Sequence, residues 1–109
     1  MWTATHRFAR IAPRKARLVV DMIRGRSANQ AVDLLRYTHK RAAFFVTRVL
    51  QSAMANANEN EAQMGRLIIR EARVDPGPII KRFQPKDRGR AHSIHKRTCH
   101  IVIGVAEKG

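Results

Sequence analysis

Two apolar runs near the end of the chain bracket a segment that no hydrophobic core can absorb. The first run is Leu67-Ile68-Ile69 through Val74, and the second is the alternating Cys99, Ile101, Ile103 and Val105. Between them, Pro76 to Arg97 carries Lys81, Arg82, Lys86, Arg88, Arg90, Lys96 and Arg97 against Asp87 alone, seven cations to one acid for a net +6. Its only large apolar groups are Ile79, Ile80, Phe83 and Ile94. Alternating flanks predict two antiparallel strands, so the segment is expected to run out and back as a hairpin. With about eleven extended residues in each arm it reaches ~35 Å, well beyond a domain of this size. A two-stranded ribbon is marginal by itself in water, and loops this long are uncommon unless functional or disordered. Prolines at 76, 78 and 85 and glycines at 77 and 89 stiffen or bend its backbone. An external surface must hold it.

Charge says what kind of surface. Twenty-two Lys and Arg face eight Asp and Glu, a net charge of +14, and such self-repulsion implies a polyanionic partner. Sixteen of the cations are Arg, whose planar forks suit phosphate oxygens better than ammonium groups do. A second basic surface is expected on the first helix, from Arg14, Lys15, Arg17 and Arg24, with Arg7 and Arg10 just upstream. Few aromatics are present and only Phe83 lies in the ribbon, so backbone and shape contact fit better than a platform stacking several bases. Nucleic acid is the indicated partner.

The rest of the chain is ordinary enough to fold, at 44% hydrophobic residues. Ala16, Val19, Val20 and Ile23 share one face of a helix from Pro13 to Arg24, with Gly25 suited to the left-handed position that ends it. Ser27 and Gln30 form a capping-box pattern opening a second helix to about Tyr37, with Ala31 and Leu34/Leu35 inward. A third begins near Lys40 and repeats Ala42, Phe45, Val46, Val49, Ala53 and Ala57; its Asn-rich end, Asn56 to Asn60, is expected to fray. Helix gives way by Gly65. The N-terminal Trp2, Ala4, His6 and Phe8 alternate, predicting a third strand with all four on one face. The expected fold is α+β: three helices packed on a small three-stranded antiparallel sheet, with a long protruding hairpin. One domain, 1–109, is expected, with 76–97 as its extended basic tip.

Other chemistries find little support. A lone Cys99 excludes an internal disulfide framework and fits a reducing compartment. No signal-like or membrane-spanning apolar stretch is present, so a cytoplasmic protein is expected, with no membrane partner. His92, His95, Cys99 and His100 lack paired metal-ligand knuckles, and strand alternation points Cys99 and His100 to opposite faces. No metal or cofactor is expected: Cys99 reads as a packed core group, and the histidines as polar contacts to phosphate or backbone. The scattered carboxylates supply no two-metal cluster, and no glycine-rich phosphate cradle occurs, so no enzyme is expected.

Several short motifs in order resemble a known family. Pro13-Arg14-Lys15-Ala16-Arg17-Leu18, Ile23-Arg24-Gly25, Ser52-Ala53 and Ala55-Asn56-Ala57 carry the first half. Val74-Asp75, Gly77-Pro78, Lys81-Arg82, Pro85, Gly89-Arg90-Ala91, Ile94, Lys96-Arg97-Thr98 and His100-Ile101 carry the second. Together, from about His6 to Val105, they resemble the universal large-subunit ribosomal protein twenty-two family, of bacterial type. The resemblance implies a structural constituent of the large ribosomal subunit that stabilises large-subunit (23S-type) rRNA during assembly. The globular part would lie on the subunit's outside and the ribbon would thread the RNA, its tip lining the nascent-peptide exit tunnel. The tip would comprise Lys81, Arg82, Phe83, Pro85, Lys86, Asp87, Arg88, Gly89, Arg90 and Ala91. RNA contacts would come from these cations, from His92, His95, Lys96 and Arg97, and from the basic surface of Arg7, Arg10, Arg14, Lys15, Arg17 and Arg24. Other large-subunit proteins and the nascent polypeptide would be partners, with no homo-oligomer. The sequence departs from the family's pattern at Ala12 for a common Ser, Lys86-Asp87 for Arg-Ala, and Cys99 for Ser; of these, Asp87 bears on RNA contact at the tip. The rival from composition alone is an architectural DNA-binding protein with basic β-arms, which would be a symmetric dimer.

Overall fold

A computed structural model describes the backbone of residues 1–86 and 90–108 and the side chains of residues 1–79 and 97–108. Strand β1 (Trp2–Ala9) leads into helices α1 (Pro13–Ile23), α2 (Ala28–Arg36) and α3 (Arg41–Glu59). A single 3-10 turn (Met64–Arg66) then precedes strands β2 (Leu67–Lys86) and β3 (Arg90–Glu107). The sheet is antiparallel with order β1-β3-β2. Three helices on a three-stranded sheet is the α+β arrangement that the change of apolar period, from helical to alternating, predicts.

β3 is central because its apolar row needs neighbours on both sides. Its inward residues form rows across the sheet: His6, Ile101 and Val74; Ala4, Ile103 and Ala72; Trp2, Val105 and Ile69. Ile101, Ile103, Val105 and Cys99 are fully buried beneath the helices, together with Ala16, Val19, Val20 and Ile23 of α1 and Val46, Leu50, Ala53 and Ala57 of α3. Small residues meet small residues where α3 crosses the sheet. Ala53 and Ala57 of α3 are buried where the helix packs on β1 and β3, with Ala4 of β1 partly buried against the same core.

Helix ends follow their local chemistry in part. Ser27 caps α2 by accepting from the Gln30 amide at 3.2 Å, which is one half of the expected box. Gly25 adopts φ +82 just past α1, the left-handed position expected there. The end of α3 does not fray. Asn56 donates its side-chain amide to the Thr3 carbonyl of β1 at 3.2 Å, and Asn60 donates to the Asn56 carbonyl at 2.7 Å. These side chains replace the orphan partners of the last turn and tie it to the sheet. The helical half also extends through Gly65, which lies inside the 3-10 turn.

β1 departs from the predicted alternation. Trp2, Ala4 and His6 face inward, but the register slips between His6 and Ala9, and Phe8 takes φ +57. One extra residue reverses the phase, so Ala9 is buried beside Cys99 while Phe8 is 58% exposed. Strands β2 and β3 also run longer than the apolar runs that announce them. Ladder pairing continues without a break in strand assignment from Pro76↔Cys99 to Lys86↔Arg90. Eight residue pairs from Ile79↔Arg97 outward correspond to a ribbon of about 24 Å, and the molecule measures 63 × 25 × 17 Å along its principal axes.

β2 leaves an open edge, and the N-terminal helices close it. The link between α1 and α2 bonds Ile69 in both directions, Gly25 N–H to the Ile69 carbonyl at 3.0 Å and Ile69 N–H to the Arg26 carbonyl at 2.9 Å. Further along, Arg24 donates from Nε and Nη2 to the Ala72 carbonyl at 3.0 and 2.6 Å, and Arg17 donates to the Val74 carbonyl at 3.2 Å. Beyond Val74 the edge carries Pro76 and Pro78, which have no amide to leave unpaired. From Ile69 to Pro78 the edge is thereby blocked against pairing with another chain.

Candidate nucleic-acid interface

At the root of the ribbon, Gly77 and Pro78 together oppose the single residue Thr98, a bulge between the pairs Pro76↔Cys99 and Ile79↔Arg97. The Thr98 hydroxyl, buried in the bend, donates to the Pro78 carbonyl at 2.6 Å. Gly77 is required by space: a Cβ built there would stand 2.6 Å from Thr98 Oγ1 and 3.3 Å from its backbone. Bulges bend a strand and raise its twist, so this one sets the direction in which the ribbon leaves the sheet.

Beside that bend opens a cavity of about 480 Å³ lined by Arg10, Ile11, Ala12, Lys15, Arg41, Arg97 and Thr98. A second, of about 350 Å³, adjoins it through Ile11, Lys15 and Arg41, and adds Leu18, Lys40 and Ala42. Four elements converge here: the β1–α1 link, the first turn of α1, the start of α3 and the returning arm of β3. Neither cavity has an acidic residue among its described lining. Arg41 is held in place from behind. Its guanidinium lies 5.8 Å from the centre of the Phe45 ring, which meets His6 of β1 edge to face at 5.4 Å.

Both helices begin here with cations, against their own dipoles. Ala12 caps α1 and Lys40 caps α3 without any side-chain hydrogen bond, and neither first turn contains an acid. The positive end of a helix dipole and Lys or Arg at that same end repel one another, and an external anion satisfies both. Several of the described acids are engaged elsewhere. Asp21 pairs with Arg24 at 2.8 Å, Glu71 and Asp75 both hold Arg73, and Glu107 accepts from the Gln63 amide. A third groove, of about 340 Å³ between β1 and α3, carries Arg7 and Arg48 with Thr5, His6 and Ser52. Cationic cavities thus line the α3 and β1 side of the molecule, and a further one of about 470 Å³ lies at the α1–α2 link with Arg26, Arg66 and Lys108.

Of the residues singled out in the sequence, Arg10, Lys15 and Arg97 meet in the main cavity and Arg7 lines the third groove. Arg14 is exposed on the first turn of α1. Arg17 and Arg24 are exposed as expected but are bonded to the β2 edge, so their donors serve the fold. The side chains of Lys81, Arg82, Phe83, Pro85, Lys86, Arg90, Ala91, His92, His95 and Lys96 lie outside the described residues, as do Asp87, Arg88 and Gly89 altogether. Pattern reading missed Lys40, Arg41 and Arg48. The available signal was Lys40-Arg41 at a helix start, where acids are favoured.

Arg24→Met is expected to lower stability by about 1 kcal/mol, because it removes both bonds to the Ala72 carbonyl. Water reaches that carbonyl in the variant, since the Arg24 side chain is 48% exposed, which keeps the loss small. The midpoint of urea unfolding reads it.

Cys99 and His100 do face opposite sides. Cys99 is fully buried, and burial pushes its thiol above the ordinary range, with Arg17 pulling weakly the other way. His100 uses Nδ1 to accept the Phe8 amide at 3.0 Å, a backbone contact of the kind expected. Among the described residues no group of His, Cys, Asp or Glu is placed to hold a metal ion, and no described helix is long and apolar enough to cross a membrane.

Comparison with known proteins agrees with the earlier resemblance. The chain is 53% identical over 106 residues to the large ribosomal subunit protein uL22 of Thermus thermophilus, covering 96% of this chain and 94% of the relative. The same protein from two individual strains of that organism matches to the same extent. The profile of the family described as ribosomal protein L22p/L17e matches residues 4–106. Globular part and basic ribbon alike fall within that span, and the chain belongs to the ribosomal protein L22p/L17e family.

Proposed function

We propose that this protein is a structural, non-catalytic constituent of the large ribosomal subunit. It binds large-subunit rRNA through the cationic basin at the root of its ribbon, and the ribbon passes into the RNA toward the nascent-peptide exit tunnel. Family membership supports the subunit, since the Thermus relatives are large-subunit proteins. The observation that carries RNA binding is the basin itself, where Arg10, Lys15, Arg41 and Arg97 surround an open cavity with no described acid. An interior ion pair would neutralise such a cluster if its role were only structural. A polyanion that enters gains both the cations and the positive ends of two helix dipoles.

In this reading the globular part docks and the paired ribbon enters the RNA, phosphate contacts offsetting the entropy lost on binding. Seven ribbon cations and the three others of the basin give a log-log salt slope of about minus seven for binding large-subunit rRNA. The tunnel-lining role of Lys81 to Ala91, the rRNA contacts of Arg14, His92 and His95, and contact with neighbouring ribosomal proteins and the nascent chain belong to the same proposal, as does residence in the cytoplasm. Filter binding of the full chain to that rRNA over a salt series, with duplex DNA as competitor, tests it. Steep salt dependence and failure of DNA to compete are expected; equal competition, or absence of the chain from purified large subunits, overturns the reading.

A further inference from the structure

Phe8 is the one described aromatic residue with a left-handed backbone, at φ +57, and its side chain is 58% exposed. Such a conformation is unfavourable for a bulky residue and persists only where the surroundings over-determine it. Burial does not explain the choice of phenylalanine, because the buried position at this bulge belongs to Ala9. Glycine or asparagine would make the same bulge with less strain.

The surroundings hold the ring in one place. The Phe8 amide donates to His100 Nδ1 at 3.0 Å, and the two rings meet at 5.0 Å with an 84° interplanar angle. A perpendicular contact leaves at least one face of the Phe8 ring uncovered by its partner. Phe8 follows Arg7 directly, and Arg10, two residues on and so within ~7 Å along the chain, lines the cationic basin with Arg97 and Thr98 of the paired strand. A flat apolar face therefore stands fixed two residues along the chain from Arg10, which lines the cationic basin. A nucleotide brings a flat π-face and a negative charge one sugar apart, and it matches both.

We propose that Phe8 is a stacking platform for one unpaired RNA base, whose neighbouring phosphate enters the basin of Arg10, Lys15, Arg41 and Arg97. The site rests on the RNA-binding reading above and adds to it a contact with a base rather than with the backbone. His100 acts as a positioning residue that keeps the ring facing outward.

The test is Phe8→Gly in the full chain, assayed against large-subunit rRNA over a salt series and by urea unfolding. Glycine accepts the positive φ without strain, so stability is expected to hold or rise while affinity falls at least about fivefold, the lower end for one base stacked on an aromatic ring. The salt slope is expected to stay unchanged, because no phosphate contact is lost. Phe8→Tyr should retain wild-type affinity. Affinity lost together with stability would assign Phe8 a structural role and overturn the site, as would Phe8→Gly binding at the wild-type level. Ultraviolet irradiation of the wild-type complex gives an independent readout: a nucleotide adduct on Phe8 supports the site. A wild-type chain that fails to bind the rRNA removes the broader reading, whereas a wild-type complex indifferent to Phe8→Gly removes the stacking site alone.

Discussion

Replacing Arg10, Lys15, Arg41 and Arg97 together by glutamine is expected to weaken binding to large-subunit rRNA by about three orders of magnitude at about 0.1 M salt. Each cation that neutralises a phosphate contributes ~0.7–0.9 to the log-log salt slope through counterion release, so four of them contribute about three. That contribution vanishes near 1 M salt, and a tenfold dilution from there restores about a thousandfold in affinity. The variant's salt slope should flatten by the same amount. The fold should survive, because all four side chains belong to exposed positions and surface substitutions away from special features usually change stability little. Removing charges at Arg36 and Arg70, which line none of these cavities, and comparing the loss per charge separates a site from a general field. The same loss of affinity per charge in both variants would mean that net charge alone binds the RNA.

Arg41 shows why such a basin is hard to see in a sequence. Helical spacing gave the inward faces of α1 and α3 directly, since Ala16, Val19, Val20 and Ile23 and then Ala42, Val46, Val49, Ala53 and Ala57 are buried, while Phe45, expected on the same face, is only partly buried. Periodicity sorts residues into inward and outward, and for the core that is sufficient. It does not say which outward residues from distant elements share a surface. Arg10, Arg41 and Arg97 come from opposite ends and the middle of the chain, and only the packing of α3 on β1 beside β3 brings them together.

Arg17 and Arg24 fail in the opposite sense. Both lie on the polar face of α1, as the pattern requires, yet their partners are the edge carbonyls Val74 and Ala72. An amphipathic pattern cannot distinguish a side chain facing water from one facing an open strand edge, because both demand a polar group. Phe8 marks a third limit. Alternation in β1 is regular through His6, and the bulge that expels Phe8 adds one residue without any compositional mark such as glycine. Its signature is only that the small Ala9 takes the buried position while the bulky Phe8 is turned out.

Gly77→Ala is expected to destabilise the protein by about 2–3 kcal/mol, the cost of forcing a methyl group into a packed site together with a lost hydrogen bond. Glycine is not needed here for its dihedral freedom; the obstacle is Thr98. Its hydroxyl would stand 2.6 Å from the new Cβ and its backbone 3.3 Å away. Thr98 is only 2% exposed, and its hydroxyl is engaged with the Pro78 carbonyl, so it has no free rotamer into which to retreat. Removing the hydroxyl by Thr98→Ala should cost about 1 kcal/mol for the hydrogen bond, but it should also make room for the methyl group. The two substitutions are therefore expected to be non-additive, with the double variant more stable than the sum of the singles predicts, by about 1 kcal/mol or more. Urea midpoints of the four proteins close the cycle. Strict additivity would mean that the methyl group is accommodated by a shift of the β2 backbone rather than resisted by Thr98. In that case the bulge is a soft joint, and Gly77→Ala would leave rRNA affinity near wild type. If the bulge is instead the fixed elbow that its hydrogen bond and close packing indicate, Gly77→Ala should weaken rRNA binding even at low temperature, where the variant is fully folded, because the ribbon then leaves the sheet at the wrong angle to the basin beside it.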